Sequence, residues 1–228
     1  MKPIIYLSIL LVITSCSAPK IVDKPINFNE QRKELSLKYM KEHYGLDQKE
    51  PTIDPKMIVL HWTAIPTFEA SFNAFKDPLL PSSRTEIAGA SSLNVSAQFL
   101  VDRDGTIYRL MPETTMARHV IGLNHSAIGI ENVGGTKDTP LTPEQLKANI
   151  ELVRYLKGKY DIEYLIGHYE YQNFENSDLW LEKDKNYRTA KTDPGREFMA
   201  KVRRAVKDLG FKTIPQVEPI NAGNESNQ

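Results

Sequence analysis

Hydrophobic and polar positions along the chain follow two different periods. Lys56–Trp62 (KMIVLHW) is a short β-branched apolar run and reads as a buried strand. Gln98–Val101 and Thr106–Leu110 alternate on either side of Asp102-Arg103-Asp104-Gly105. Asp-Gly supplies the positive backbone dihedral that a hairpin turn needs. Ser126–Val133 (SAIGIENV) and Glu163–His168 (EYLIGH) read as further strands. Helical spacing predicts a helix over Asn29–Tyr44, with Leu35, Leu37, Tyr39, Met40 and Tyr44 roughly on one side and Gly45 as its stop. Thr67–Phe75 reads as a short helix ended by Asp77-Pro78. Leu141–Tyr160 reads as a long one, capped by Thr142, with Pro143 in the first turn and Ile150, Val153, Leu156 and Tyr160 on its apolar side. Pro194–Leu209 follows Asp193 and ends at Gly210. Leu79–Asn94 is small and polar, hence a loop. Strands alternate with helices and a hairpin is included. The expected fold class is α/β, a single domain with a mixed β-sheet flanked by helices.

Composition changes this picture little. The chain has 228 residues, 40% apolar and 25% charged, which suits one globular domain with short ends. Lys+Arg and Asp+Glu both count 29, so no nucleic-acid partner is implied. The ends differ from the middle. MKPIIYLSILLVITSCSAPK opens with a charged Lys2 and a short apolar run too short for a membrane span, so it reads as an export signal. Ile13-Thr14-Ser15-Cys16 resembles the lipobox of bacterial lipoproteins, which implies cleavage before Cys16, lipidation of its thiol and attachment to a membrane. Cys16 is the only cysteine, so no internal disulfide is available. A plain secretory signal with an incidental cysteine is the alternative. Ser17 after the cysteine points to the cell envelope, at the outer membrane facing the periplasm. Ser17–Phe28 reads as a tether and 211–228 as a mobile tail.

Candidate chemistry gathers at strand ends. His61 closes MIVLH and His168 closes YLIGH. Strand ends form the rim of a sheet, where side chains turn from core to cleft. Two imidazoles there suit a divalent ion such as zinc, and Asp193, in front of a predicted helix, is a candidate third ligand. Each histidine could equally be a hydrogen-bonded rim residue. Glu131 lies inside the apolar run AIGIENV, an expensive place for an acid unless it is paired, neutralised or functional.

IVLHWTA, GTIYRL, SAIGIENVG, IGHYEY and KTDPG occur in the order seen in the zinc-dependent N-acetylmuramoyl-L-alanine amidases of type 2. That family includes relatives of phage lysozyme-amidases and of peptidoglycan recognition proteins. The resemblance covers about Ile53–Leu209. It implies Zn2+ held by His61, His168 and Asp193, with Glu131 as general base and Lys191 facing the developing oxyanion. His119 of ARHVIG would line the substrate cleft. It also implies cleavage of the amide between N-acetylmuramic acid and L-alanine in peptidoglycan or muropeptides. The chain then divides into a signal peptide (1–15), a tether (16–28), an amidase domain (29–210) and a tail (211–228). A non-hydrolytic peptidoglycan-binding module is the alternative. Two departures stand out. Gln98 occupies a position where the family often has histidine. The last two ligands are 193 − 168 = 25 residues apart rather than about ten. The added segment, rich in Tyr and Trp, is expected to wall the substrate groove. A surface insertion without ligand contact is the alternative.

Overall fold

The computed structural model describes residues 18–216. The expected signal peptide, Cys16 and residues 217–228 lie outside the described residues. Six strands form one sheet: β1 (Ile21–Asp23), β2 (Met57–Leu60), β3 (Phe99–Val101), β4 (Ile107–Arg109), β5 (Ala127–Asn132) and β6 (Tyr164–Gly167). Their order is β1-β4-β3-β5-β2-β6. The hairpin β3–β4 is antiparallel, with Gly105 at φ 86° in its turn, and every other pairing is parallel. The sheet is therefore mixed, as the interleaved hairpin predicts.

The helices are α1 (Glu30–Tyr39), α2 (Phe68–Lys76), α3 (Thr85–Ala88), α4 (Pro143–Lys159) and α5 (Arg196–Ala205). Period-two alternation sends Ile58, Leu60, Ile128, Ile130 and Leu165 to one face, where Leu152, Val153 and Leu156 of α4 and Met199 and Val202 of α5 cover them. Met57, Val59, Ala127 and Ile166 point to the other face, against Tyr39, Met40, Tyr44, Tyr171 and Phe174. Helix α4 starts with a reciprocal cap: Thr142 Oγ1 accepts from the Gln145 N–H (3.1 Å) and Gln145 Oε1 from the Thr142 N–H (3.0 Å).

Five expectations change. The segment 79–94, expected to be a loop, holds the short helix α3. Residues 21–26 are not a tether: Ile21–Asp23 pair with Ile107–Arg109, and Ile26 beyond them is buried, because this β-branched stretch finds an open sheet edge. Residues 211–216 are tied down by the Lys212 N–H to Glu163 carbonyl bond (2.8 Å) and by packing of Phe211 and Ile214. Helix α1 buries Arg32, Ser36 and Tyr39, while Leu35 and Leu37 stay half-exposed. The Arg32 guanidinium donates to the carbonyls of Asn27, Phe75 and Asp77 (2.8, 2.8 and 2.6 Å), closing the C-terminal end of α2. The helix after Asp193 starts later than expected. Gly195 is its N-cap, so Asp193 is not held by cap geometry.

Candidate active site

The register of three parallel strands builds the site. Leu60 is level with Ile130 on β5 and with Gly167 on β6. One residue further along, His61, Glu131 and His168 therefore stand abreast. Alternation puts all three on the face opposite α4 and α5, in line with Val59, Gly129 and Ile166. This is the carboxyl end of the parallel strands, where open α/β sheets form their clefts.

Asp193 arrives from the loop before α5 and completes a triangle. His61 Nδ1 and His168 Nδ1 are 3.0 Å apart, and Asp193 Oδ2 lies 3.1 and 3.0 Å from them. All three residues are buried. Burial pushes His168 down to about 4, helped by the field of His61, so its imidazole is neutral. Burial opposes ionisation of Asp193, but hydrogen bonds with His168 and His61 outweigh it and hold the carboxylate well below its usual range. Two nitrogens and a carboxylate oxygen pressed into one triangle cannot each be satisfied by a shared proton. Three converging lone pairs can be satisfied by one cation, and this cluster could bind a metal.

Glu131 is half-buried, yet its Oε2 has no accessible surface and no partner. Burial pushes this carboxyl up to about 7, against the fields of His61, Arg84 and Lys191 and with that of Asp193. A cavity of about 210 Å³ opens over these groups, lined also by Trp62, Arg84, Tyr187, Thr189 and Lys191. His119 reaches the cavity wall but is only 8% exposed.

The segment between His168 and Asp193 is packed rather than loose. Tyr171, Phe174, Glu182 and Tyr187 are buried. Trp180 stacks on Tyr171 with centroids 6.1 Å apart, and Arg188 lies 4.6 Å above the Trp180 ring. Tyr187 accepts from Arg118 Nη2 (2.9 Å). Tyr187 and Thr189 line the cavity, so part of the segment does face the groove.

Two residues escaped the sequence reading. Asn132 donates to the His61 carbonyl (2.9 Å) and accepts from Asn149 Nδ2 (2.7 Å), which ties the backbone behind His61 to α4. The signal was a polar residue on the apolar face of a strand. Arg84, from the loop before α3, lines the cavity, and nothing in the surrounding sequence marked it.

The fold is similar to that of an N-acetylmuramoyl-L-alanine amidase from Clostridium intestinale URNW: TM-score 0.52, 24% identity, covering 83% of this chain and 99% of that one. Residues 51–196, more than half of the chain, match the model of the family described as N-acetylmuramoyl-L-alanine amidase. The chain belongs to that family. Curated relatives include the endolysin of Escherichia phage T7, 34% identical over 83 residues, and that of Enterobacteria phage T3, 32% identical over 83 residues. Each match covers 34% of this chain and 55% of the relative. The chain thus spans about half the length of the curated relatives it matches. These comparisons correct one expectation. The matched curated relatives are phage endolysins, and the expected lipid-anchored outer-membrane localisation is withdrawn. Among the described residues no helix is long and apolar enough to cross a membrane.

Proposed function

We propose that this chain is a zinc-dependent N-acetylmuramoyl-L-alanine amidase, which hydrolyses the amide joining N-acetylmuramic acid to L-alanine in peptidoglycan or its fragments. The observation that carries this reading is the buried triangle of His61, His168 and Asp193 with Glu131 level beside it. The donor set fits zinc: two imidazole nitrogens and one carboxylate oxygen, all from residues that line the cavity. Edges of 3.0–3.1 Å approach the ~3.3 Å spacing of ligand atoms around a tetrahedral ion with bonds of about 2.0–2.1 Å.

When bound, zinc supplies Lewis acidity that acidifies water and polarises a carbonyl. The chain's own residues supply the proton path and the charge complement. Glu131, with its unpartnered Oε2, is placed to take a proton from the attacking water and return it to the leaving alanine nitrogen. Its elevated pKa suits both halves of that task near neutral pH. Lys191 lines the same cavity and would supply positive charge to the tetrahedral oxyanion. Asp193, kept ionised, offsets the metal's charge and so helps retain it.

Incubation with defined muropeptides, read by mass spectrometry beside metal analysis, tests this. Glu131→Gln should keep the metal and lose hydrolysis by ~10² or more. His168→Ala should lose both. Binding of muropeptide without release of the stem peptide would instead identify a recognition module. Equal rates with and without zinc would end the metal reading.

A further inference from the structure

His119 touches the cavity, but neither ring nitrogen is available to a ligand. Nδ1 lies 3.0 Å from His61 Nε2, and Nε2 lies 3.3 Å from the Ala127 carbonyl oxygen. A carbonyl only accepts, so the His119 proton sits on Nε2. Its Nδ1 is then an acceptor, and the donor facing it is the Nε2–H of His61. With that proton fixed, the remaining His61 nitrogen, Nδ1, is the one left to present a lone pair to His168 and Asp193. The reverse order would set two acceptors, His119 Nε2 and the Ala127 oxygen, against each other.

The surroundings hold this relay rigid. The rings of His61 and His119 meet edge to face, at 88° and 5.0 Å. The His119 and Val120 N–H groups both donate to Asn124 Oδ1 (2.8 and 2.7 Å), and Asn124 Nδ2 donates to the Tyr44 hydroxyl (2.8 Å). On the sheet side the His119 ring lies against Gly129. A Cβ there would come within 2.9 Å of His119 Cγ and Nδ1. The glycine two residues before the catalytic acid thus leaves the space that the ring fills.

We propose that His119 is a positioning residue that fixes the tautomer and orientation of His61, so that its Nδ1 is presented to a divalent metal, rather than a group that contacts substrate. This rests on the reading of His61 as a metal ligand. Outer partners of ligating histidines commonly govern metal affinity by 10–100-fold.

Two measurements test it. Long-range ¹⁵N–¹H correlation spectra of the zinc-loaded and the zinc-free protein should place protons on His61 Nε2 and His119 Nε2. Zinc affinity, read by competition with a chromogenic chelator, should fall 10–100-fold in His119→Phe. It should recover to within about threefold of wild type in His119→Asn, whose side-chain oxygen can take the place of Nδ1 as acceptor. A proton on His119 Nδ1 would overturn the proposal, as would wild-type affinity in His119→Phe. If His119→Phe does not fold, the wild-type spectra still decide. A wild-type protein that binds no zinc would overturn the metal reading instead, and the proton positions in the metal-free spectra would still settle the hydrogen-bond order.

Discussion

Glu131 is neutral in the folded chain at pH values where an exposed glutamate is charged. Burial raises its pKa from 4.5 to about 7, so the native state binds a proton that the unfolded state has released. Its contribution to stability therefore falls as pH rises from about 4.5 to 7 and stays low above that. In the metal-free protein Glu131→Gln should be more stable than wild type at pH 8, by on the order of 3 kcal/mol, and equal to it at pH 4. Urea midpoints at the two pH values check this. On the proposed role of Glu131 as base, hydrolysis runs the other way, since a base must be ionised. The rate should fall on acidification through one ionisation at or below about pH 7, as a bound dication can only move that midpoint down. At this scale the sequence was informative where chemistry shows in motif. His61, His168, Asp193 and Glu131 could all be named from it. It was silent on Asn132, whose partner Asn149 lies on another element, and on Arg84, which sits in a segment without periodicity.

The 168–193 segment shows what an element-level reading can miss. Its composition suggests a loop, and no periodicity reveals that it is pinned at several points. One pin is a buried pair. His43 Nδ1 lies 2.8 Å from Glu182 Oε1, and His43 Nε2 lies 3.0 Å from the Ala90 carbonyl. Both neighbours accept, so the protonated imidazole serves both. Burial opposes that charge, but the bonds to Glu182 and Ala90 leave the His43 pKa raised. The stability it adds is full below about 6.5, the unperturbed value, and fades as pH rises through the higher folded value. His43→Gln should flatten that alkaline loss of stability, seen as a smaller drop in Tm between pH 6 and pH 9. The pair joins the helical turn that follows α1 (Met40–Tyr44), the inserted segment and the residues just after α3. Its loss should therefore also loosen amide protection in 84–90, measurable by hydrogen exchange. Arg32 makes the same point about elements. Helical spacing marked Leu35 and Leu37 as the inward side of α1, but the buried position went to an arginine because the end of α2 needed donors.

For the whole molecule, the class was readable in advance because strand and helix periods alternate cleanly and Asp-Gly marks the hairpin. The edge strand Ile21–Asp23 was not, because three residues give too short a pattern to separate from a linker. Metal binding at the proposed site should stabilise the entire domain, since the residues that could hold the ion come from three separate parts of the chain. Zinc at about 1,000 times its Kd should add about 4 kcal/mol, and a chelator should lower Tm accordingly. Scanning calorimetry before and after chelation checks it.

The alignment of Leu60 with Ile130 and Gly167 has a further consequence. If β2 slid past its neighbours by a single position, the helix-covered layer would receive an imidazole, and a leucine would occupy the place beside Glu131. Mispaired chains would thus be blind to metal. A colorimetric zinc titration could then count correctly threaded molecules in a refolding mixture, without any substrate at all.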